Sequence, residues 1–325
     1  MSSGGSRAGT EGSVLTGIVL ILVSMSIVPV MDGLAKELST RYPVLEIVWA
    51  RYFFHLLYLF PVVIVRYGLS ALFPSHPMLQ IVRGGLLLAS TILFFAAIAQ
   101  MPIADALALV FVSPLIVTAL SPSLLGEHVG LRRWIAVLIG FVGALIIIRP
   151  GFAAIDTGTL LALGAGVIYA LYMIATRRLS GSAPPLVTLT YTALLGAVAM
   201  SAAVPFQWVP PSPVDWSMMA AMGGCAALGH FLLIKAFDHA QASVLAPFGY
   251  SEIVMATIVG FVMFGDFPDI WTWAGVAIII LSGVYISLRE RQTKSPIASA
   301  VQAQGPFPEA PGELIPEKIT DNADR

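Results

Sequence analysis

Ten apolar stretches, each near twenty residues long and joined by short polar links, constrain this chain more than any motif does. They run over 14–34, 44–66, 79–99, 103–125, 131–149, 157–178, 185–205, 216–237, 241–264 and 270–288. About 20 mostly apolar residues in a helix cross roughly 30 Å of hydrocarbon. A helix also satisfies its own backbone polar groups where no water can. Each stretch is therefore predicted as a membrane-spanning helix. The supply of charge agrees. Only 11% of the 325 residues are Asp, Glu, Lys or Arg, against about a quarter in a soluble domain. The first stretch has no small-residue cleavage site and others follow at once, so it reads as a span and not as a removable signal.

Basic residues set the expected orientation, because cytoplasmic loops are enriched in them. With the N-terminus inside, the inner segments hold Arg7, Arg66, Arg83, Arg132, Arg133, Arg177, Arg178, Lys235, Arg289, Arg291 and Lys294. The outer ones hold Lys36, Arg41 and Arg149. Both termini are expected in the cytoplasm, with the chain in the cell inner membrane. A net charge of -1 gives no basic field for nucleic acid.

An internal repeat supplies the architecture. A shift of 139 residues lays Gly126-Glu127 on Gly265-Asp266, Phe111 on Tyr250, Thr118 on Thr257, Trp134 on Trp273 and Val137 on Val276. Nearer the front of each half, Lys36-Glu37-Leu38-Ser39 resembles Arg177-Arg178-Leu179-Ser180. Five spans per half is an odd number, so the second half is inverted relative to the first. The expected fold is an all-α membrane protein with ten transmembrane helices in two inverted five-helix repeats. The divisions are a leader at 1–13, repeats at 14–149 and 157–288, and a Pro/Ala/Glu-rich tail at 289–325, expected to be disordered. Inverted repeats place the site of a secondary carrier between the halves near the midplane.

Ionisable residues inside spans cost roughly 2.5–3.5 kcal/mol and default to functional candidates. Glu252 is the sharpest: a carboxylate at the centre of span nine must be protonated or paired with a cation, such as Arg51 or a substrate amine. Arg51 and His55, at i and i+4, share a face of span two. Arg51 is either a site residue or a side chain snorkelling to the interface. Asp32, near the end of span one, is a second candidate partner for Arg51, and His230 lies within span eight. Tyr169, Tyr172 and Tyr250 are either packing or the lining of a cavity for a flat or cationic solute. Pro114 and Pro247 break spans four and nine at matching places. Gly126-Glu127 and Gly265-Asp266 read as helix-ending glycines followed by an acid, or as gates at opposite faces.

The paired LLGEH (Leu124 to His128) and MFGDF (Met263 to Phe267), with VWARY (Val48 to Tyr52), APFGY (Ala246 to Tyr250) and AGVAIIILSGVY (Ala274 to Tyr285), resemble the ten-span EamA-type branch of the drug/metabolite transporter superfamily. The likeness covers about 14–290 and departs at Asp266, where the family more often has Glu. It implies a carrier driven by proton coupling or exchange. The opening MDGLAKELSTRYPVLEIVWARY (Met31 to Tyr52) implies a cofactor-type solute such as riboflavin, with S-adenosylmethionine or amino acids as alternatives.

An intramembrane enzyme or a non-transporting scaffold is the competing expectation. The chain contains no HExxH, GxSxG or GxxxxGK[ST] motif, and the lone Cys225 has no CxxC partner. No metal and no cofactor is expected. The expected partners are the lipid bilayer and a small-molecule substrate, with a homodimer left open and nucleic acid excluded.

Overall fold

The structure, a computed structural model, describes residues 5–69, 76–125, 129–148, 156–179, 182–240 and 242–293. Its helices are α1 (Gly5–Leu38), α2 (Val44–Tyr67), α3 (Pro77–Ile98), α4 (Ile103–Val110), α5 (Ser113–Leu125), α6 (Leu131–Ile148), α7 (Thr157–Arg178), α8 (Pro185–Ala203), α9 (Pro213–His239), α10 (Ala242–Gly249), α11 (Ser251–Phe264) and α12 (Ile270–Thr293). Eight segments are long and apolar enough to cross a membrane, α4 and α5 counting as one, and α11 and α12 add two shorter apolar helices. Ten spans result, as the sequence predicts. Helix α1 starts before residue 14 and ends four residues past 34, while α12 continues to Thr293, five residues into the segment expected to be tail. The remainder of that tail lies outside the described residues.

Proline sets many of the starts. Pro77, Pro185 and Pro213 occupy the first helical turn, where a missing N–H costs nothing. Helix α7 is capped by Asp156, whose carboxylate accepts the Thr159 N–H at 2.7 Å. That bond holds the Asp156 carboxyl below its ordinary value of 3.8. The cap is therefore fully present above about pH 4 and fades as the pH falls through the lowered value. Asp156→Ala should cost about 1 kcal/mol, read as a lower melting temperature that the pH-4 wild type does not show.

The packing has a two-fold symmetry that exchanges the halves. Helix α1 lies against α9 as α7 lies against α3; α2 packs on α8, and α6 on α12, across the axis. Each half therefore completes its core with the other half. Two details test the symmetry at atomic scale. Both broken spans break at equivalent residues, Phe111 and Tyr250, and these two rings meet edge to face with centroids 5.5 Å apart. Where α6 crosses α12, Ser282 Oγ donates to the Ala136 carbonyl. At the equivalent pair, a Cβ on Gly143 would lie 2.9 Å from the Gly275 carbonyl oxygen. With five spans per half, such an axis lies in the membrane plane.

Much of the surface is apolar. Val65 is 87% exposed, Leu138 62% and Leu281 69%, which only lipid tolerates over so large an area. Burial of apolar surface cannot then hold helices together, since lipid is equally apolar. Close approach at small residues does so instead.

Candidate functional site

The interior between the halves is where the sequence candidates gather. Helix α1 supplies Asp32, α2 Arg51 and His55, α9 His230, α11 Glu252 and α7 Tyr169 and Tyr172, all of them buried. The one-turn spacing of Arg51 and His55 does put both on the inward face of α2. Arg51 is 3% exposed, so it does not snorkel. Its Nε donates to Met31 Sδ at 3.4 Å and its Nη1 to Thr91 Oγ1 at 3.3 Å, and its guanidinium lies over the Tyr52 ring at 4.8 Å. The Asp32 charge acts on it from the neighbouring helix. His55 and His230 face each other with ring centroids 5.2 Å apart.

Glu252 owes its place to the broken span. The chain turns at Tyr250 and restarts as α11, so a helix N-terminus lies inside the membrane with Glu252 in its first turn. The partial positive charge of that terminus favours a carboxylate. Glu252 is 1% exposed, and its Oε2 and the Oδ1 of Asp32 have no hydrogen-bond partner. No cation lies within ion-pair distance of Glu252 among the described residues; the charge that acts on it is Asp32. The expected pairing with Arg51 is thus replaced by a pair of acids, the Asp32 charge acting on Glu252 while the Arg51 charge acts on Asp32. The repeat places Ser113, also buried, at the position equivalent to Glu252.

Sequence reasoning missed Arg83, which it counted as an interfacial charge. It is 2% exposed. Its Nε donates to Thr176 Oγ1 at 2.7 Å, Nη1 to Thr192 Oγ1 at 2.7 Å and to the Thr188 carbonyl at 3.4 Å, and Nη2 to the Tyr172 hydroxyl at 2.8 Å. The Tyr172 ring lies 4.9 Å from the guanidinium. Its depth, six residues into α3 and close to that of Arg51 in α2, was the signal available.

Lys36 was also missed, having been counted as a loop charge. Its Nζ pairs with Asp266 at 2.6 Å, donates to the Met101 carbonyl at 3.0 Å and lies over the Phe264 ring at 4.8 Å. This ties the end of α1 to the end of α11 across the two halves. Beside it Arg41 meets Asp215 at 3.0 Å, and Asp215 accepts from Tyr42 at 2.7 Å. Gly265 ends α11 in the left-handed conformation at φ 73°, its N–H reaching the Phe261 carbonyl at 2.9 Å. That geometry projects Asp266 toward Lys36, so one glycine both ends the helix and aims the acid. Gly126 and Glu127 lie outside the described residues. Asp266→Asn should lower amide-exchange protection about fivefold at 35–39 and 264–267, the equivalent of about 1 kcal/mol. Unchanged protection would show the pair to be incidental.

Pro114 opens α5 and Pro247 lies in the last turn of α10. The prolines flank the two breaks without being equivalent to each other; the equivalence belongs to Phe111 and Tyr250. Tyr250 accordingly serves the break and its contact with Phe111.

Comparison with known proteins gives a coherent result. The profile of the EamA-like transporter family matches residues 15–149 and 156–288. The S-adenosylmethionine uptake transporter of Rickettsia prowazekii (strain Madrid E) is 28% identical over 281 residues, covering 86% of this chain and 95% of that protein. The pseudopaline exporter CntI of Pseudomonas aeruginosa (strain UCBPP-PA14) is 29% identical, covering 84% and 96%. The riboflavin transporter of Rhizobium johnstonii is 27% identical, covering 87% and 92%. A crystal structure with 20% identity superposes with a TM-score of 0.59 over 88% of this chain and 99% of the other. It shares the fold.

Proposed function

Because this chain belongs to the EamA-like transporter family and is a multi-pass membrane carrier of small metabolites and not an enzyme, we propose that its solute is a compact organic cation or zwitterion, bound between the halves and exchanged against protons. The observation that carries this reading is the buried pair of acids, Asp32 and Glu252, with carboxylate oxygens unbonded and no cation in ion-pair reach of Glu252 among the described residues. Burying carboxylates in a membrane interior is costly unless protons or a cation compensate them. A carrier alternating between the two supplies each in turn. Solute binding displaces the proton, and solute release recovers it.

In this reading the Arg51 charge acts on Asp32, His55 and His230 bring a pair of polar rings to the same interior, and Tyr169 offers a ring face to a cationic group. Alternating access then requires the halves to rock about the in-plane axis. The Lys36–Asp266 pair closes one end. The distribution of basic residues supports an orientation with that end outside and both termini on the cytoplasmic side of the inner membrane. A green fluorescent protein fused after Arg325 should fluoresce; a dark fusion, with an active alkaline phosphatase fusion at the same site, would reverse the orientation.

Among the relatives' named solutes, S-adenosylmethionine carries a sulfonium and an amine that suit two acids. Riboflavin carries no cationic group. Proteoliposomes holding the purified protein should accumulate labelled S-adenosylmethionine under an imposed pH gradient and stop when a protonophore removes it. Accumulation of riboflavin alone would leave Asp32 and Glu252 with no part in solute binding. Uptake indifferent to the gradient would remove the coupling.

A further inference from the structure

A guanidinium in a membrane interior normally has a carboxylate beside it, since the unbalanced charge is expensive. Arg51 has Asp32 in its field. Arg83 has none: among the described residues all its hydrogen-bond partners are neutral, namely the hydroxyls of Thr176, Thr192 and Tyr172 and the Thr188 carbonyl. The hydroxyls of Thr176 and Thr192 also donate onward, to the carbonyls of Tyr172 at 2.9 Å and Thr188 at 3.2 Å. The cage therefore fixes the guanidinium from α7 and α8 while leaving its charge uncompensated. Hydroxyls rotate, so donors can pass from Thr192 and Tyr172 to a better acceptor at little cost. The planar fork formed by Nη1 and Nη2 matches a carboxylate in two parallel bonds. Arg83 reaches toward the interior that holds the acids through Tyr172, whose hydroxyl it bonds and whose ring lies 5.4 Å from that of Tyr169, and the Glu252 charge acts on Tyr169.

We propose that Arg83 is the anion-binding end of the solute path, receiving a carboxylate of the transported molecule while Asp32 and Glu252 receive its cationic group. This rests on the carrier reading above and narrows the solute class to zwitterions whose two charges are set apart. Neutral and purely cationic molecules leave Arg83 uncompensated and bind less well.

The test uses the full chain in lipid nanodiscs, with S-adenosylmethionine and its decarboxylated analogue as probes. Wild type should prefer the carboxylate-bearing probe by about tenfold or more. In Arg83→Gln the preference should fall to about one, whereas Arg51→Gln should weaken both probes and keep it. Equal binding of the two probes by wild type, or a preference that survives Arg83→Gln, overturns the assignment and leaves the carrier reading standing. Failure of wild type to bind either probe overturns the solute reading, and this assignment with it. Should Arg83→Gln not fold, the wild-type comparison needs no variant, and Thr192→Val with Tyr172→Phe, which retain the charge, should keep the preference.

Discussion

Replacing Glu252 with Gln should abolish pH-driven accumulation in proteoliposomes and, because Glu252 also receives the solute's cationic group, solute-for-solute exchange with it. The amide is nearly isosteric with the protonated acid, so the substitution fixes one chemical state of the site without opening a cavity. A carrier that must release a proton from Glu252 before loading is then locked out of its coupled cycle. Exchange fails as well, because loading itself requires the Glu252 carboxylate for the solute's cationic group. The expected loss is about a hundredfold or more in the gradient-driven rate, since an essential proton transfer is removed and not merely slowed. Asp32→Asn should have the same signature with a larger loss of affinity, because the Asp32 charge also acts on Arg51. Affinity and coupling should fall together there. Normal gradient-driven transport by Glu252→Gln would exclude Glu252 as the proton site, and exchange that survives the substitution would remove it from solute binding.

Gly275→Val should be among the most damaging changes outside the polar interior. A Cβ on Gly275 would sit 2.5 Å from the Gly143 carbonyl oxygen and 2.5 Å from Ile147 Cγ1. The first of these is backbone and cannot swing away. Both helices must separate along the crossing of α6 with α12, where close approach is the main source of adhesion. Overpacking costs about 1–3 kcal/mol in a well-packed site, and a branched side chain against two backbones belongs at the top of that range. The melting temperature in detergent should fall by several degrees. Gly85→Ala is the control, since nothing lies within 4 Å of its Cβ; it should be neutral or slightly stabilising. Equal effects from the two would show that the crossing is not where the halves are held.

The spans were legible because lipid demands long apolar runs and leaves few other solutions. The inversion was legible from an odd span count and from Phe111 falling on Tyr250. Glu252, Asp32, Arg51, His55 and His230 were legible individually because each violates the apolar pattern, and their convergence follows from the repeat. Two kinds of feature stayed hidden. Arg83 and Lys36 lie within two turns of span ends, where a basic residue ordinarily meets headgroups, and sequence depth does not distinguish an inward side chain from an outward one. The partner of Glu252 was unreadable for another reason. Which of several buried charges lies nearest depends on how helices from different halves are rotated, which periodicity within one helix cannot report.

The Ser113–Glu252 pair has a consequence for ancestry. In an assembly of two identical five-helix chains, any acid at the broken span appears twice, and the two copies approach each other at the midplane. Joining the copies in one gene releases that constraint. One copy can keep the carboxylate while the other becomes serine, and on the proton-exchange proposal a change at either position should alter how many protons are moved per turnover. Bioenergetic tuning of this kind is open to a fused chain and closed to a homodimer.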